Sequence, residues 1–319
     1  MIDLGLTALP RSRDTAWLFP GQGAQFVGMG RDLYEAEPAA REVFDAADAA
    51  LEFPLSRLCF EGPESDLTQT VNTQPALVTH ALAAVAAAVA RGALREAPAY
   101  VAGHSLGEYA ALIAAGAVGF EDGVRLVRER GRLMQVACDA EPGTMAAVLG
   151  LEPEPLRAIC AEHRAALCNV NAPGNITIGG TTSAVAAASE AATAAGASRV
   201  VPLTVSGAFH TPLMQSAADG MRRVLAGVRF RAPAPPVISN VTAQPIERGE
   251  HLADELVAQI TSPVMWADSV RAMIDGGIRS VVEFGPGRVL TGLVRRIDRA
   301  TAIRNIGVLE DLAMEEARG

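Results

Sequence analysis

The segment YVAGHSLGEYAALIAA, residues 100–115, decides the fold of this chain. Its apolar start predicts a strand and its alanine-rich end predicts a helix, and the G-x-S-x-G pentapeptide between them predicts a tight turn with Ser105 at the apex. Gly103 and Gly107 allow the backbone to bend sharply. The free N–H groups at the start of the following helix can stabilise an oxyanion. We therefore interpret Ser105 as a nucleophile, and a purely structural turn is the alternative.

Length and composition indicate a globular protein. The chain has 319 residues, of which 50% are hydrophobic and 4% aromatic, so it can bury a large core as one large domain or two smaller ones. Residues 1–14 lack the basic start and apolar stretch of a signal peptide. The longest apolar run, residues 81–90, is too short to span a bilayer. We expect a cytoplasmic monomer without membrane contact.

The charged residues exclude several kinds of chemistry. All 27 basic residues are arginine, and lysine is absent, which removes Schiff-base chemistry, a pyridoxal phosphate anchor, a Walker lysine and a Ser-Lys dyad. The net charge of −9 argues against nucleic-acid binding, so an acidic partner has to meet a local arginine patch. The cysteines have no C-x-x-C spacing and are expected to be buried free thiols: Cys59, Cys138, Cys160 and Cys168.

Strands and helices alternate along most of the chain, which predicts an α/β fold. A first strand at 17–19 leads into the loop GQGAQ, residues 21–25. This loop lacks the third glycine of a dinucleotide fingerprint because Phe26 takes that position. The other predicted elements are helices at 75–94, 106–115 and 121–138, strands at 100–102, 236–240 and 280–284, and a helix after Gly285-Pro286-Gly287.

Residues 143–206 have a different pattern and predict a small subdomain. Its elements follow the order β-α-β-β-α-β of a ferredoxin-like unit, with strands at 145–149, 167–170, 176–179 and 199–203 and helices at 154–162 and from 183. We interpret it as an insertion into a large α/β domain formed by residues 1–142 and 207–319. A cleft should lie between the two parts.

A serine hydroxyl needs a general base, and histidine is the usual one near neutral pH. His104 is adjacent to Ser105, but its side chain leaves the turn in a different direction. His210 lies in a glycine-containing loop just after the small subdomain and precedes Pro212, so we select it as the base. The remaining histidines are expected in packing or surface positions: His80, His163 and His251.

Arg130 falls in the middle of the apolar face of the helix predicted at 121–138. A guanidinium on such a face needs an anion or a hydrogen-bonded partner, because an unpaired buried charge is costly. The partner can be an internal Asp or Glu, or it can be the carboxylate of a ligand held by two parallel hydrogen bonds. Both remain open from the sequence.

Six motifs carry a resemblance to a known family: GQGAQ (21–25), GHSLGE (103–108), RG (130–131), NVNAPG (169–174), GAFH (207–210) and EFGPG (283–287). Together they span nearly the whole chain, and it resembles the acyltransferases of fatty acid and polyketide synthesis, which include the malonyl-CoA:acyl carrier protein transacylases. The resemblance implies a hydrolase-like large domain with a central parallel sheet and an inserted ferredoxin-like small subdomain.

The resemblance also implies catalytic roles. Ser105 would be the acylated nucleophile and His210 its base. Gln22 and Leu106 would supply the N–H groups of the oxyanion hole. Main-chain groups near Gln259 would orient the histidine, so the family does not require the Asp of a hydrolase triad.

For the substrate, the resemblance implies that Arg130 binds the malonyl carboxylate and that Met134, Asn171 and Phe209 line the substrate site. A phenylalanine at position 209 goes with malonyl rather than methylmalonyl units, although ordinary packing also explains it. Carrier docking is expected on arginines near the cleft rim, with a solvated helix face as the alternative for the last three candidates: Arg199, Arg288, Arg295 and Arg296.

The implied reaction moves a malonyl group from malonyl-CoA through a malonyl-serine intermediate to the phosphopantetheine thiol of acyl carrier protein, for fatty acid synthesis. It needs no metal or redox cofactor. One alternative is a discrete acyltransferase that serves a polyketide synthase in trans. The other is a serine acyl hydrolase, which has no use for a buried cation such as Arg130 facing its acyl pocket.

Overall fold

The computed structural model describes residues 2, 4, 6 and 9–313. The predicted large domain and the stretch 1–14 also contain residues that lie outside the described ones, namely 1, 3, 5, 7, 8 and 314–319. The strands are β1 Thr15–Phe19, β2 Tyr100–Gly103, β3 Thr144–Leu149, β4 Ala166–Ala172, β5 Asn175–Gly180, β6 Arg199–Pro202, β7 Val237–Ile238, β8 Pro245–Ile246, β9 Ser280–Phe284 and β10 Ala302–Ile306.

Helices connect these strands. They are α1 Arg31–Ala36, α2 Pro38–Leu51, α3 Leu55–Glu61, α4 Glu64–Leu67, α5 Thr70–Ala90, α6 Gly107–Ala114, α7 Phe120–Ala140, α8 Pro153–Glu162, α9 Thr182–Ala194, α10 Gln215–Leu225, α11 Leu252–Thr261, α12 Trp266–Asp275 and α13 Val289–Ile297.

The larger sheet has the strand order β10-β9-β1-β2-β7-β8, and its neighbours are parallel except for β7 and β8. Its faces are both covered, as in most parallel sheets. Along β1, Trp17 and Phe19 pack into one core, while Ala16 and Leu18 pack into a second core against α12 and α13. The predicted α/β fold with a central parallel sheet is therefore confirmed.

Helix α5 is the central helix of the first core. It is long and apolar enough to cross a membrane, but 89% of its most apolar window is buried inside the protein, which is the position of a core helix. The sequence predicts this helix at 75–94, and the structure begins it earlier because the Thr73 N–H already donates to the Gln69 carbonyl at 2.8 Å. Gly92, with φ of 69°, ends it early.

The smaller sheet is antiparallel with the order β4-β5-β3-β6. Helices α8 and α9 contribute Leu156 and Ala188 to a separate core that includes Val148, Ile176 and Ile178. All six predicted elements are present, and the ferredoxin-like arrangement is confirmed. The boundaries at 142/143 and 206/207 stay predictions; they fall before β3 and after β6.

The sequence prediction extends one strand too far and misses two others, the short β8 and the longer β10. The strand expected at 236–240 stops at Ile238, because the Ser239 hydroxyl accepts hydrogen bonds from the Val241 and Thr242 N–H groups and turns the backbone. Strand β10 has no counterpart in the prediction. It lies at the edge of the sheet, and its polar Arg304 and Asn305 conceal the apolar pattern of a buried strand.

The carboxyl ends of β1, β2 and β7 lie side by side because these strands are neighbours and parallel. Ligands of open α/β sheets usually bind at this edge. Gln22 follows β1, Ser105 follows β2 and Asn240 follows β7. The topology thus places the loop of Gln22 and the residue Asn240 on either side of Ser105.

Candidate active site

Ser105 sits at a strained turn between β2 and α6. Its φ of 51° lies in the left-handed region that non-glycine residues avoid. A Cβ on Gly103 would lie 1.9 Å from the carbonyl carbon of Gly107, and one on Gly107 would lie 2.0 Å from the Phe19 carbonyl oxygen. The two glycines therefore allow close backbone packing, whereas the left-handed φ of the turn is at Ser105 itself.

Ser105 and His210 form a hydrogen-bonded pair. The Ser105 Oγ lies 2.7 Å from His210 Nε2, and His210 Nδ1 lies 2.8 Å from the main-chain oxygen of Gln259. A carbonyl oxygen only accepts, so Nδ1 carries the proton and Nε2 is free to accept the serine proton. Burial, and secondly the charge of Arg130, lower the pKa of His210 to about 3. The imidazole is therefore neutral and ready to act as a base.

A second layer of side chains holds the Ser105 backbone. Asn240 Oδ1 accepts from the Ser105 N–H at 2.6 Å, and Gln259 Nε2 donates to the Ser105 carbonyl at 2.9 Å. Glu108 joins the two, because its carboxyl group accepts from the Asn240 N–H at 3.2 Å and from Gln259 Nε2. Burial, and then the neighbouring Glu255, raise the pKa of Glu108 well above its ordinary value.

Arg130 is completely buried and points at the nucleophile. One of its terminal nitrogens donates to Gln74 Oε1 at 2.9 Å; the other donates to Gln259 Oε1 at 2.9 Å and to the Ser105 Oγ at 3.2 Å. Burial lowers the pKa of Arg130, and Tyr109 and Glu108 oppose that shift. Across residues 9–313, no carboxylate forms an ion pair with it. Within these residues Arg130 therefore has hydrogen-bonded partners and no internal salt bridge, and its binding of a ligand carboxylate stays a prediction.

The other predicted substrate residues lie around this centre. Met134 Sδ contacts Gln74 Nε2 at 3.5 Å. Asn171 Oδ1, on β4 of the small sheet, lies 2.9 Å from His104 Nε2 and so links that sheet to the turn after β2. Phe209 is 9% exposed and belongs to the main core, so both its specificity role and ordinary packing stay open.

The predicted oxyanion donors follow β1 and β2. Leu106 is buried at the start of α6, while Gln22 is exposed in its loop. Within residues 9–313 neither main-chain N–H donates to another protein group. Their role in an oxyanion hole stays a prediction.

The four arginines proposed for carrier docking are all exposed. Arg288 precedes α13, and Arg295 and Arg296 lie in its last turn. Helix α13 packs against α12 and β4, whereas Arg199 lies on β6 at the opposite edge of the small sheet. The structure therefore does not bring Arg199 together with the other three, and a docking role for any of them stays a prediction.

The structure also places the four cysteines. All four are free and buried, as the sequence predicts. Burial raises the pKa of Cys59 to about 12 and those of Cys138 and Cys160 to about 11. In the part of the chain that the structure describes, no three His, Cys, Asp or Glu residues lie in a metal-binding group.

Sequence reasoning gave no role to Gln74, Glu108 and Asn240. Glu108 lies in the GHSLGE motif, and Asn240 ends a predicted strand, as the residues before Gln22 and Ser105 do. The sequence positions of both could therefore have indicated a role in the site. The sequence gives a weaker indication for Gln74, which is a polar residue next to a long alanine-rich helix. All three are at most 1% exposed, and a buried polar side chain needs a partner.

Comparisons with known proteins agree with this geometry. The model of the acyl transferase domain family matches residues 16–310. The malonyl CoA-acyl carrier protein transacylase of Bacillus subtilis is 43% identical over 307 residues, covering 95% of each chain. That of Escherichia coli strain K12 is 43% identical over 292 residues, covering 90% of this chain and 94% of the other.

Solved structures are also similar over nearly the whole chain. The acyl carrier protein S-malonyltransferase of Vibrio cholerae superposes with a TM-score of 0.90 at 40% identity, covering 94% of this chain and 99% of that one. A malonyl-transacylase in complex with the holo acyl carrier protein of a type II polyketide synthase superposes with a TM-score of 0.89 at 38% identity, covering 94% and 97%.

Proposed function

This chain belongs to the acyl transferase domain family, and on that premise we propose that it transfers a malonyl group from malonyl-CoA to the phosphopantetheine thiol of acyl carrier protein, for fatty acid synthesis. The position of Arg130 is the observation that supports malonyl as the acyl group. A buried guanidinium lies 3.2 Å from the Ser105 Oγ and forms no ion pair within residues 9–313, and the malonyl carboxylate supplies an anion for it beside the reacting carbonyl.

The first half-reaction acylates the serine. The Ser105 Oγ attacks the thioester carbonyl of malonyl-CoA while His210 Nε2 accepts the hydroxyl proton. The main-chain N–H groups of Gln22 and Leu106 stabilise the oxyanion of the tetrahedral intermediate. Its collapse breaks the carbon–sulfur bond, and CoA leaves as a thiol after His210 returns the proton.

The second half-reaction runs in reverse with a different thiol. The phosphopantetheine thiol of the carrier gives its proton to His210 and attacks the ester carbonyl of malonyl-Ser105. Collapse breaks the bond to the Ser105 Oγ, which recovers its proton from His210. Each half-reaction exchanges a thioester and an ester, and neither involves oxidation or reduction. His210 accepts and returns the proton in both.

A serine acyl hydrolase is disfavoured because its acyl pocket needs no buried cation. Service to a polyketide synthase is the second candidate, and the similarity to a transacylase solved with a polyketide carrier favours it. Competition between holo carriers of the two pathways for the malonyl-enzyme distinguishes the two candidates. A cytoplasmic location and a monomeric state remain part of the proposal.

Arg130→Ala tests the carboxylate role. We expect kcat/KM for malonyl-CoA to fall roughly tenfold or more, because a charge-assisted hydrogen bond to a carboxylate is lost. The value for acetyl-CoA should fall less, since acetyl has no carboxylate to pair and the mutant need not desolvate a cation against a methyl group. Both values come from steady-state assays on the same preparation.

The control for this variant is Arg132→Ala on the same helix, whose exposed guanidinium bonds Glu129 at the surface. It should leave the acetyl-to-malonyl ratio unchanged. If Arg130→Ala depressed both acyl groups equally, Arg130 would be a structural residue and the carboxylate role would be wrong.

Phe209→Ser tests acyl size. A methyl group in a tight pocket typically discriminates by ~1–3 kcal/mol, so we expect the variant to accept methylmalonyl-CoA better relative to malonyl-CoA, without becoming a dedicated methylmalonyl enzyme. Because Phe209 belongs to the main core, the unfolding midpoint is measured alongside. An unchanged ratio in competition assays would leave packing as its only role.

A further inference from the structure

Gln74 lies between the cation and the loop of Gln22. It is completely buried in the second turn of α5. Its Oε1 accepts from Arg130 at 2.9 Å, and its Nε2 donates to Gln22 Oε1 at 3.2 Å. One amide group therefore joins the residue that faces the substrate carboxylate to the loop that follows β1.

Gln22 depends on such anchors because its loop is exposed and has no regular secondary structure. Among the residues that the structure describes, its side chain also bonds the Thr70 hydroxyl, to which Nε2 donates at 3.4 Å. The Thr70 hydroxyl in turn lies 3.4 Å from the Ser206 hydroxyl. Both anchors belong to the first turns of α5 and are buried. The side chain of Gln22 is thus held by two buried residues at the start of a core helix.

The chemistry at position 74 requires an amide. A glutamine can accept from a guanidinium at one end and donate to a carbonyl at the other. A glutamate would accept from Arg130 but could not donate to Gln22, and its charge would compete with a substrate carboxylate. A methionine of similar length would do neither.

We propose that Gln74 is a positioning residue that couples Arg130 to the oxyanion-stabilising N–H of Gln22, an inference that rests on the function proposed above. When the malonyl carboxylate engages Arg130, the guanidinium stays fixed against Gln74, and Gln74 holds the Gln22 loop in the geometry that receives the oxyanion. The same contact serves every acyl group, because each one passes through an oxyanion.

Acetyl-CoA isolates this effect, since acetyl has no carboxylate for Arg130. We expect Gln74→Met to lower the acetylation rate of Ser105 at saturating acetyl-CoA about tenfold, with KM changed by no more than about twofold. Stopped-flow detection of CoA release measures this acetylation rate. The burst amplitude gives the concentration of active sites, so a loss of folded protein is distinguished from a loss of rate.

A double-mutant cycle with Gln22→Met, which keeps the main-chain N–H, tests the connection. If Gln74 acts through Gln22, the double variant should acetylate no more than about twofold more slowly than the slower single variant. Gln69→Met is the control, because this exposed residue precedes the same helix and its side chain bonds Asp66, away from Gln22 and Arg130. It should behave as wild type.

Gln74→Glu keeps the inference testable if the methionine variant does not fold. It should slow acetylation similarly and slow malonylation further, because its charge pairs with Arg130. An unchanged acetylation rate in the position-74 variants, or losses that multiply in the double variant, would overturn the coupling. If wild-type protein formed no malonyl-Ser105 at all, the proposed function itself would fail instead.

Discussion

Ser105→Ala is expected to abolish both the covalent malonyl adduct and malonyl transfer. The Ser105 Oγ is the atom that meets both His210 Nε2 and Arg130, and alanine offers no nucleophile in its place. The fold should persist, because alanine at φ of 51° is no more strained than the native serine. Intact-protein mass spectrometry after incubation with malonyl-CoA measures the adduct, and circular dichroism measures the fold.

Ser183→Ala is the matched control, since this serine is exposed at the start of α9 in the small subdomain. It should carry the adduct in full yield. An undiminished adduct on Ser105→Ala would move the nucleophile elsewhere and remove the basis of the proposed reaction.

Removing the base should have the next largest effect. We expect the acylation rate constant to fall about 10²–10⁴-fold in His210→Asn, the typical contribution of a general base. Some activity should survive because the oxyanion donors remain. Asparagine is the preferred replacement, since it tolerates the left-handed φ of 61° at this position better than alanine does.

Single-turnover release of CoA measures this rate. His251→Asn provides the control, because that histidine is exposed and lies beside Glu250 at the surface. A rate like that of wild type in His210→Asn would refute the base role and leave the 2.7 Å contact between Ser105 and His210 without catalytic meaning.

Much of the fold follows from patterns in the sequence. The strand, turn and helix around Ser105 and the six elements of the small subdomain have strong alternation and clear turn residues, so their order could be predicted. Strand β10 could not, because an edge strand buries only part of its surface and carries polar residues such as Asn305, whose side chain bonds Glu283. Pro75 also misled the prediction of α5, since proline is typical of a first turn but here lies inside the helix.

The site was predictable where a side chain breaks the pattern around it. Arg130 interrupts an apolar helix face, and the structure buries it completely. The orienting group of His210 is a main-chain carbonyl, at Gln259; every residue has such a group, so only a resemblance could point to it. Gln74 meets Arg130 across 56 positions of sequence, and an isolated glutamine carries no local signal of such a contact.

The central claim is that Ser105 passes a malonyl group to a carrier thiol rather than to water. Intact-protein mass spectrometry of the malonyl-enzyme, chased with holo acyl carrier protein, tests it most directly. We expect the enzyme to gain the mass of one malonyl group on Ser105 and to lose it as the carrier gains the same mass, while buffer without carrier leaves the adduct largely intact. Release of free malonate at the same rate with and without carrier, and no malonyl-carrier, would contradict the claim and identify a hydrolase.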